Sequence, residues 1–321
     1  MGPPYIQTKY SKRHHFLPIF YLKGFTDNQR IFYVYDKIEN KFLDKQIPAS
    51  KYFEKDLNNY KVNGKIHFTL EESFFTPIDT DAAPLFADLQ NMDYDADNFT
   101  YLDKFRILHF LMFLYWRSPN SKSKFLDLID KEGFSNRYFG FHKDGVLLKD
   151  KEIPDIKISA MKDDQFQKLY KLMTPLSNGA LNELYNIVDN WNLYSLHDPG
   201  TLVVGDNPFV INNPNPNLDS TFGELIFPLS RSRLLILSKS VPAFLDSTLT
   251  NFINLSILDS SNRFISCDNK EALTQLVDRY LALKINSSHY DIKHATFETM
   301  HIQAKFKSFE HYCEHLKNRH L

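Results

Sequence analysis

The segment that decides the fold is residues 102–119, which read LDKFRILHFLMFLYWRSP. Apolar residues cover nearly every face of a helix here, and the Ser118-Pro119 step disfavours its continuation. The most apolar part, Ile107 to Trp116, is about ten residues long, roughly half of what a membrane-spanning helix requires. The sequence therefore predicts a helix in the centre of a protein core.

Strand patterns occur on both sides of this helix. Arg30 to Lys37 and Lys41 to Ile47 are rich in β-branched and aromatic residues and predict a hairpin. Short apolar runs bounded by Asn, Pro and Gly predict further strands at Thr201–Val204, Glu224–Phe227 and Arg233–Ser238. A sheet is therefore expected to draw strands from both halves of the chain.

Helical spacing of apolar residues recurs outside these strands. It predicts helices at Asp163–Met173, Ala180–Trp191, Leu249–Phe264 and Lys270–Lys284. We therefore predict an α+β fold, with a mixed or antiparallel sheet packed against a large helical portion. Because strand candidates lie in both halves, we expect residues 1–321 to form one interdependent unit, with a helical C-terminal subdomain at 245–321.

The charge balance limits the classes of partner. With 38 Lys and Arg against 39 Asp and Glu, the net charge is −1, so no global positive field holds polyanions. A site for RNA or DNA must therefore be local. Phe and Tyr number 28 and 17 against 10 Gly, which indicates aromatic-rich packing.

The cysteine content and residues 1–13 indicate the cellular compartment of the protein. Cys267 and Cys313 are the only cysteines, which excludes a disulfide scaffold and an all-cysteine zinc site. Residues 1–13 hold no apolar stretch of signal-peptide length. We expect a cytoplasmic protein with no membrane association.

The densest group of candidate site residues lies near the N-terminus, at Arg13, His14, His15 and Tyr21. Histidines titrate near neutrality and suit proton transfer or metal binding. Neighbours on a strand point to opposite faces, so one small site does not readily use both. The alternative interpretation is a pair of structural or surface histidines.

Two further candidates flank the central helix. Glu72, in the Glu71-Glu72 pair, suits a base or a metal ligand, and its alternative is a charged helix start. Arg117 ends the apolar helix and places a fixed cation at the edge of the core, which suits phosphate binding. A helix C-terminal cation favoured by the macrodipole is the alternative.

The last candidates follow strands in the second half. Asp206 and Asn207 come directly after a predicted strand, where α and β enzymes often assemble sites, and Arg231 follows another. A plain Asp-Asn-Pro turn is the alternative. Nucleotide-binding glycine motifs, His-Glu-x-x-His and Gly-x-Ser-x-Gly are absent from the sequence, which argues against nucleotide-driven motors and ordinary α/β-hydrolases.

Taken in order, these landmarks resemble the bacterial family DUF4238, a domain of unknown function, over residues about 10 to 270. Where a Ser commonly precedes the Asp-Asn-Pro triplet in this family, the chain has Gly205. The predicted helix that contains Asn254 and Arg263 fits as well. The segments that carry the resemblance are residues 14–25 (HHFLPIFYLKGF), 31–37, 71–72, 117–119, 205–208 and 227–230.

The resemblance implies a context and leaves two functions open. Some members of the family are associated with antiphage defence loci, which implies a protein that harms or arrests an infected cell. In the first hypothesis the chain is a nuclease or other phosphodiesterase on RNA or DNA, with or without a divalent metal. Its catalytic residues would be His14, His15, Glu72, Arg117 and Asp206, and its substrate contacts Arg13, Tyr21, Asn207 and Arg231.

In the second hypothesis the chain is a noncatalytic sensor or interaction module that recognises a phage or host protein. Its polar landmarks would then maintain the fold. Polar side chains that converge in a cleft favour the enzyme, whereas dispersed and fully paired side chains favour the module. We predict that a histidine, Arg117 and Asp206 share one cleft.

Overall fold

The structure is a computed structural model that describes residues 12–62, 65–67, 70–132, 142–143, 146–147, 149, 162–196, 202–286 and 290–319. Helix α3 begins after Thr100, whose side chain and that of Asp103 cap each other's backbone N–H groups. It ends at the extended Ser118. Every residue from Ile107 to Arg117 except His109 is buried, which confirms the predicted core helix. The α-helices are α1 Ile19–Leu22, α2 Thr76–Gln90, α3 Tyr101–Arg117, α4 Lys122–Glu132, α5 Asp164–Met173, α6 Asn178–Ile187, α7 Ser247–Ser260, α8 Lys270–Asn286, α9 Ile292–Gln303 and α10 Phe309–Arg319.

Two of the predicted helices end earlier than their spacing suggested. The predicted helix from Ala180 stops at Asn190, because Trp191 begins a strand. The predicted helix from Leu249 stops at Ser260, because Ser261 is extended and Phe264 begins another strand. In both cases strand pairing with distant residues overrides the local helical pattern.

The described residues include two four-stranded antiparallel sheets, of which the first combines strands from both halves of the chain and the second lies within residues 191–237. One sheet has the order β10-β14-β2-β3, in which Ser266 of β14 pairs with Val34 of β2. The other has the order β11-β12-β13-β9. These pairings confirm the α+β class and the predicted hairpin. The strands are β1 Arg13–His15, β2 Phe32–Asp36, β3 Lys41–Gln46, β4 Phe53–Lys55, β5 Tyr60–Val62, β6 Lys65–His67, β7 His142–Lys143, β8 Val146–Leu147, β9 Trp191–Ser195, β10 Val204–Gly205, β11 Val210–Asn212, β12 Glu224–Pro228, β13 Arg233–Leu237 and β14 Phe264–Cys267.

The larger core cluster surrounds α3 and joins the N-terminal segment to the second sheet. Tyr21 stacks on Phe227 with ring centroids 5.2 Å apart, and its hydroxyl donates to the Pro228 carbonyl at 2.9 Å. A second cluster lies around α7, α8 and α9. Within the described residues, no helix is both long and apolar enough to cross a membrane.

Candidate functional site

His14 is the histidine that faces the protein interior. It lies in β1 opposite Glu54 of β4 and is 1% exposed. Its Nδ1 accepts the backbone N–H of Asn58 at 2.9 Å. In the neutral ring the proton is therefore on Nε2. His14 is fixed against the chain that follows β4.

His15 and Arg13 lie on the other face of the same strand, as the alternation along a strand requires. The His15 ring is half-buried and packs on Phe53 with centroids 5.5 Å apart. The exposed Arg13 guanidinium also covers the Phe53 ring, at 4.9 Å. The two histidines consequently do not face one site.

Arg117 ends α3 and is anchored beneath the N-terminal segment. Its Nε donates to the Phe16 carbonyl at 3.2 Å, and its Nη1 to the Asp79 carboxylate at 2.8 Å. The guanidinium lies over the rings of Phe75 and Phe110. Nη2 is buried and has no hydrogen-bond partner among the described residues. The Arg117 side chain therefore links Phe16 to Asp79 of α2, and its Nη2 remains available as a donor.

Lys171 of α5 is a candidate that the sequence did not indicate. Its Nζ donates to the Ser118 carbonyl at 2.9 Å and to Ser121 Oγ at 3.3 Å, just beyond the end of α3. Burial, together with the nearby charges of Lys122 and Lys168, lowers the pKa of this amine to about 7, and Glu54 opposes the shift. A pKa this low indicates that the Lys171 amine is largely shielded from water.

Lys168, one turn earlier on α5, links Lys171 to the histidine strand. Its Nζ donates to the Asn59 carbonyl at 2.7 Å, next to the residue that binds His14. Burial lowers the pKa of Lys168 as well, while Glu54 and Asp56 oppose the shift. We call His14, Arg117, Lys168 and Lys171 the α3-end cluster.

Asp206 lies on the far side of the short turn that follows α3. Its carboxylate accepts the backbone N–H groups of Asn262 at 2.8 Å, Arg263 at 2.7 Å and Phe264 at 3.2 Å. Asn120 Nδ2 donates to it at 3.3 Å and to the Asp206 carbonyl at 3.0 Å. Burial raises the pKa of the carboxyl, and these donors oppose the rise. Asp206 thus clamps the turn between α7 and β14.

The sequence of this chain matches a protein-family model. The sequence model of DUF4238, a protein of unknown function, matches residues 13–271. The chain belongs to the DUF4238 family. No curated protein and no solved structure matches it. The DUF4238 match begins at the first residue of β1 and ends at the start of α8, so it includes both four-stranded sheets and leaves α9 and α10 outside.

Three other residues of the DUF4238 sequence pattern, Asn254, Arg263 and Gly205, have structural roles. Asn254 Oδ1 accepts the Val203 N–H at 3.1 Å. Arg263 donates to Asp36 from Nε at 3.1 Å and from Nη2 at 3.0 Å. At Gly205 a Cβ would lie 1.9 Å from Ser261 Oγ. The Ser261 hydroxyl therefore occupies the space that a side chain at position 205 would need.

The remaining predicted site residues lie apart from the α3-end cluster. Tyr21 is fully buried in the core, and burial raises the pKa of its hydroxyl. Asn207 Nδ2 donates to the Ser260 carbonyl at 3.4 Å, and Arg231 pairs with Asp268 at 2.8 Å. Glu72 lies in the helical segment Leu70–Phe75, and its side chain is outside the described part of the structure.

The structure therefore brings some predicted residues together and orients others away. Arg117 and Lys171 lie at the end of α3, and His14 is linked to Lys168 of α5 through the adjacent residues Asn58 and Asn59. Asp206 reaches the turn after α3 through Asn120. The Asp206 carboxylate bonds neither histidine within the described residues. His14, Arg117, Lys171 and Asp206 are each at most 8% exposed. Across the described ranges, no group of three or more His, Cys, Asp or Glu residues could hold a metal ion.

Proposed function

We propose that this DUF4238 protein is a noncatalytic interaction module of phage defence that recognises a phage or host protein. The observation that carries the proposal is the saturation of Asp206 by three backbone N–H groups and Asn120. A catalytic acid or base must come within hydrogen-bond reach of its substrate. A buried carboxylate with four donors instead stabilises the turn that it clamps.

An exposed aromatic surface supports the same proposal. Phe105 of α3 stacks on Tyr185 of α6 with centroids 4.5 Å apart, and Tyr101 lies one turn before Phe105. Tyr185 is 54% exposed and Tyr101 is 48% exposed. Tyrosine is enriched in protein interfaces, because it buries a large ring and keeps a polar end. We name Tyr101, Leu102, Phe105 and Tyr185 the α3–α6 surface.

The experiment measures phage plating on bacteria that carry the wild-type gene or single variants. Tyr185→Asp should abolish protection with only a small decrease in melting temperature, because Tyr185 is 54% exposed and loses its stacking on Phe105. Tyr290→Asp is the matched control, since Tyr290 is exposed just before α9, away from this surface. Equal protection by Tyr185→Asp and wild type would exclude the α3–α6 surface. A wild-type gene that protects against no phage would exclude the defence role.

A second candidate function is phosphodiester hydrolysis on RNA or DNA, and the α3-end cluster favours it. An amine whose pKa lies near 7 at physiological pH is partly unprotonated, so Lys171 is able to accept a proton. His14 supplies an imidazole, and Arg117 has an unused donor for a phosphate oxygen. Because these side chains are buried, substrate access would require the covering chain to move.

A nuclease assay tests this candidate separately. Purified protein is incubated with end-labelled single- and double-stranded RNA and DNA, with Mg²⁺, with Mn²⁺ or with chelator. Cleavage that disappears in Lys171→Met and persists in Lys131→Met would support hydrolysis at the cluster, since Lys131 is exposed and does not shift the pKa of Lys171. No cleavage by the wild type, or equal cleavage by both variants, would exclude it.

A further inference from the structure

A cavity of about 1060 Å³ lies away from the α3-end cluster, between the end of β9, the helices α7 and α8, and the C-terminal helix α10. Ligand cavities of single proteins have volumes of about 300–1,000 Å³. The cavity is therefore large enough to bind a small-molecule ligand.

Apolar side chains make up much of the inner wall of this cavity, and the buried polar side chains there, Thr250 and Asn254, bond to the protein backbone. Val203 and Leu276 are buried side chains of the wall, and Leu245 adds a partly buried one. Cys267 also lines it, and burial raises the pKa of its thiol to about 12. The thiol consequently stays protonated at neutral pH and behaves as a small apolar group. This wall suits a hydrocarbon chain.

The rim carries an uncompensated cation. Arg279 of α8 is exposed at the cavity, and it forms no ion pair with any residue in the described part of the chain. Asp246 also lines the cavity and is the N-cap of α7, where its carboxylate accepts the Leu249 N–H at 2.7 Å and forms no ion pair with Arg279. An anionic group at the rim would therefore meet Arg279 without a competing ion pair.

The outer wall is α10, which lies beyond the DUF4238 match. Phe244 holds it in place through Phe309 and Tyr312, with ring centroids 5.5 and 5.6 Å apart. Leu316 and Phe309 of α10 line the cavity and are 39% and 49% exposed. A chain of methylenes in the cavity would cover part of this exposed apolar area, which favours binding.

We propose that this cavity binds a single-chain amphiphile with an anionic headgroup. Its headgroup pairs with Arg279, and its hydrocarbon chain lies between Val203, Leu276 and Leu316. The proposal depends on neither candidate function. Because a carboxylate and a phosphate make the same pairs with a guanidinium, both headgroups share the required chemistry.

The test titrates the full chain with dodecanoate, dodecyl phosphate and dodecanol below their micelle-forming concentrations, by isothermal titration calorimetry. We expect one binding site for at least one of the two anions, and weaker binding of the alcohol. Arg279→Gln should weaken anion binding by about tenfold, because it removes a charge-assisted hydrogen bond. It should leave alcohol binding unchanged. The relative affinity of the two anions identifies the headgroup.

Two variants on α10 complete the experiment. Leu316→Asp places a charge against the hydrocarbon chain and should weaken all three ligands, whereas Lys317→Gln is a control on the same helix outside the cavity lining. Melting temperatures establish that every variant is folded. The proposal is overturned by no binding of either anion, by more than one equivalent bound, or by unchanged affinity in both Arg279→Gln and Leu316→Asp.

Discussion

Replacing Lys171 by Met removes the amine of the α3-end cluster and keeps an unbranched chain of similar length. Burial holds the pKa of Lys171 at about 7 in the folded protein, against 10.5 for an ordinary lysine. Between these two values the unfolded chain binds more protons than the folded one, so Lys171 makes stability rise with pH. Linkage gives a rise of about 3 to 4 kcal/mol between about pH 7 and pH 10. The Met variant lacks this contribution.

The assay is urea unfolding of the wild type and Lys171→Met at several pH values in this range. The quantity compared is the difference between their free energies of unfolding, in which the titration of all other groups cancels. Lys131→Met is the control, because the Lys131 side chain is exposed and is not among the charges that shift Lys171, so its difference should change little with pH. A Lys171→Met difference that is equally flat would refute the reasoning, since it would mean a hydrated, fully charged amine.

Three further predictions follow from contacts elsewhere in the fold. Asp206→Asn should lower the free energy of unfolding by about 2 to 4 kcal/mol in urea titrations, because an amide cannot accept from all its donors; an unchanged value would contradict the clamp. Gly205→Ala should lower the melting temperature, and adding Ser261→Gly should restore most of it, since that change removes the clashing hydroxyl. The fragment 1–150 should unfold without cooperativity by circular dichroism, because β2 loses its partner β14; a cooperative transition would disprove interdependence.

The elements that the sequence predicted are those whose pattern is local and long. The α3 helix and the β2–β3 hairpin are examples. Helix α2 was missed, because Pro77 and Pro84 interrupt a sequence that is helical in the structure. Strand β1 was also missed, since it has three residues and its partner β4 begins at Phe53. A strand this short carries no alternation that sequence reading detects.

The candidate site was predictable to a smaller extent. The sequence pointed to Arg117, which lies at the end of α3, and to His14, which is buried against the segment that Lys168 binds. The orientation of Asp206 depends on the backbone of residues 262–264, and no local pattern encodes a contact with a turn so distant in sequence. Lys171 was overlooked, because a lysine within an amphipathic helix is normally assigned to the solvent face. Its position between Tyr170 and Leu172, both of which are buried in the structure, was the available signal.

The buried ionisable groups near α3 are compensated in different ways, and this difference separates the two candidate functions. Asp206 is satisfied by four hydrogen-bond donors, and Arg117 is paired with Asp79. Lys171 has a carbonyl and a hydroxyl as partners, so its burial is balanced mainly by loss of the proton. A group that loses its proton near neutral pH is able to act as a base, whereas the saturated Asp206 is not. The pH dependence of Lys171→Met therefore bears directly on hydrolysis, and phage plating with Tyr185→Asp bears on recognition.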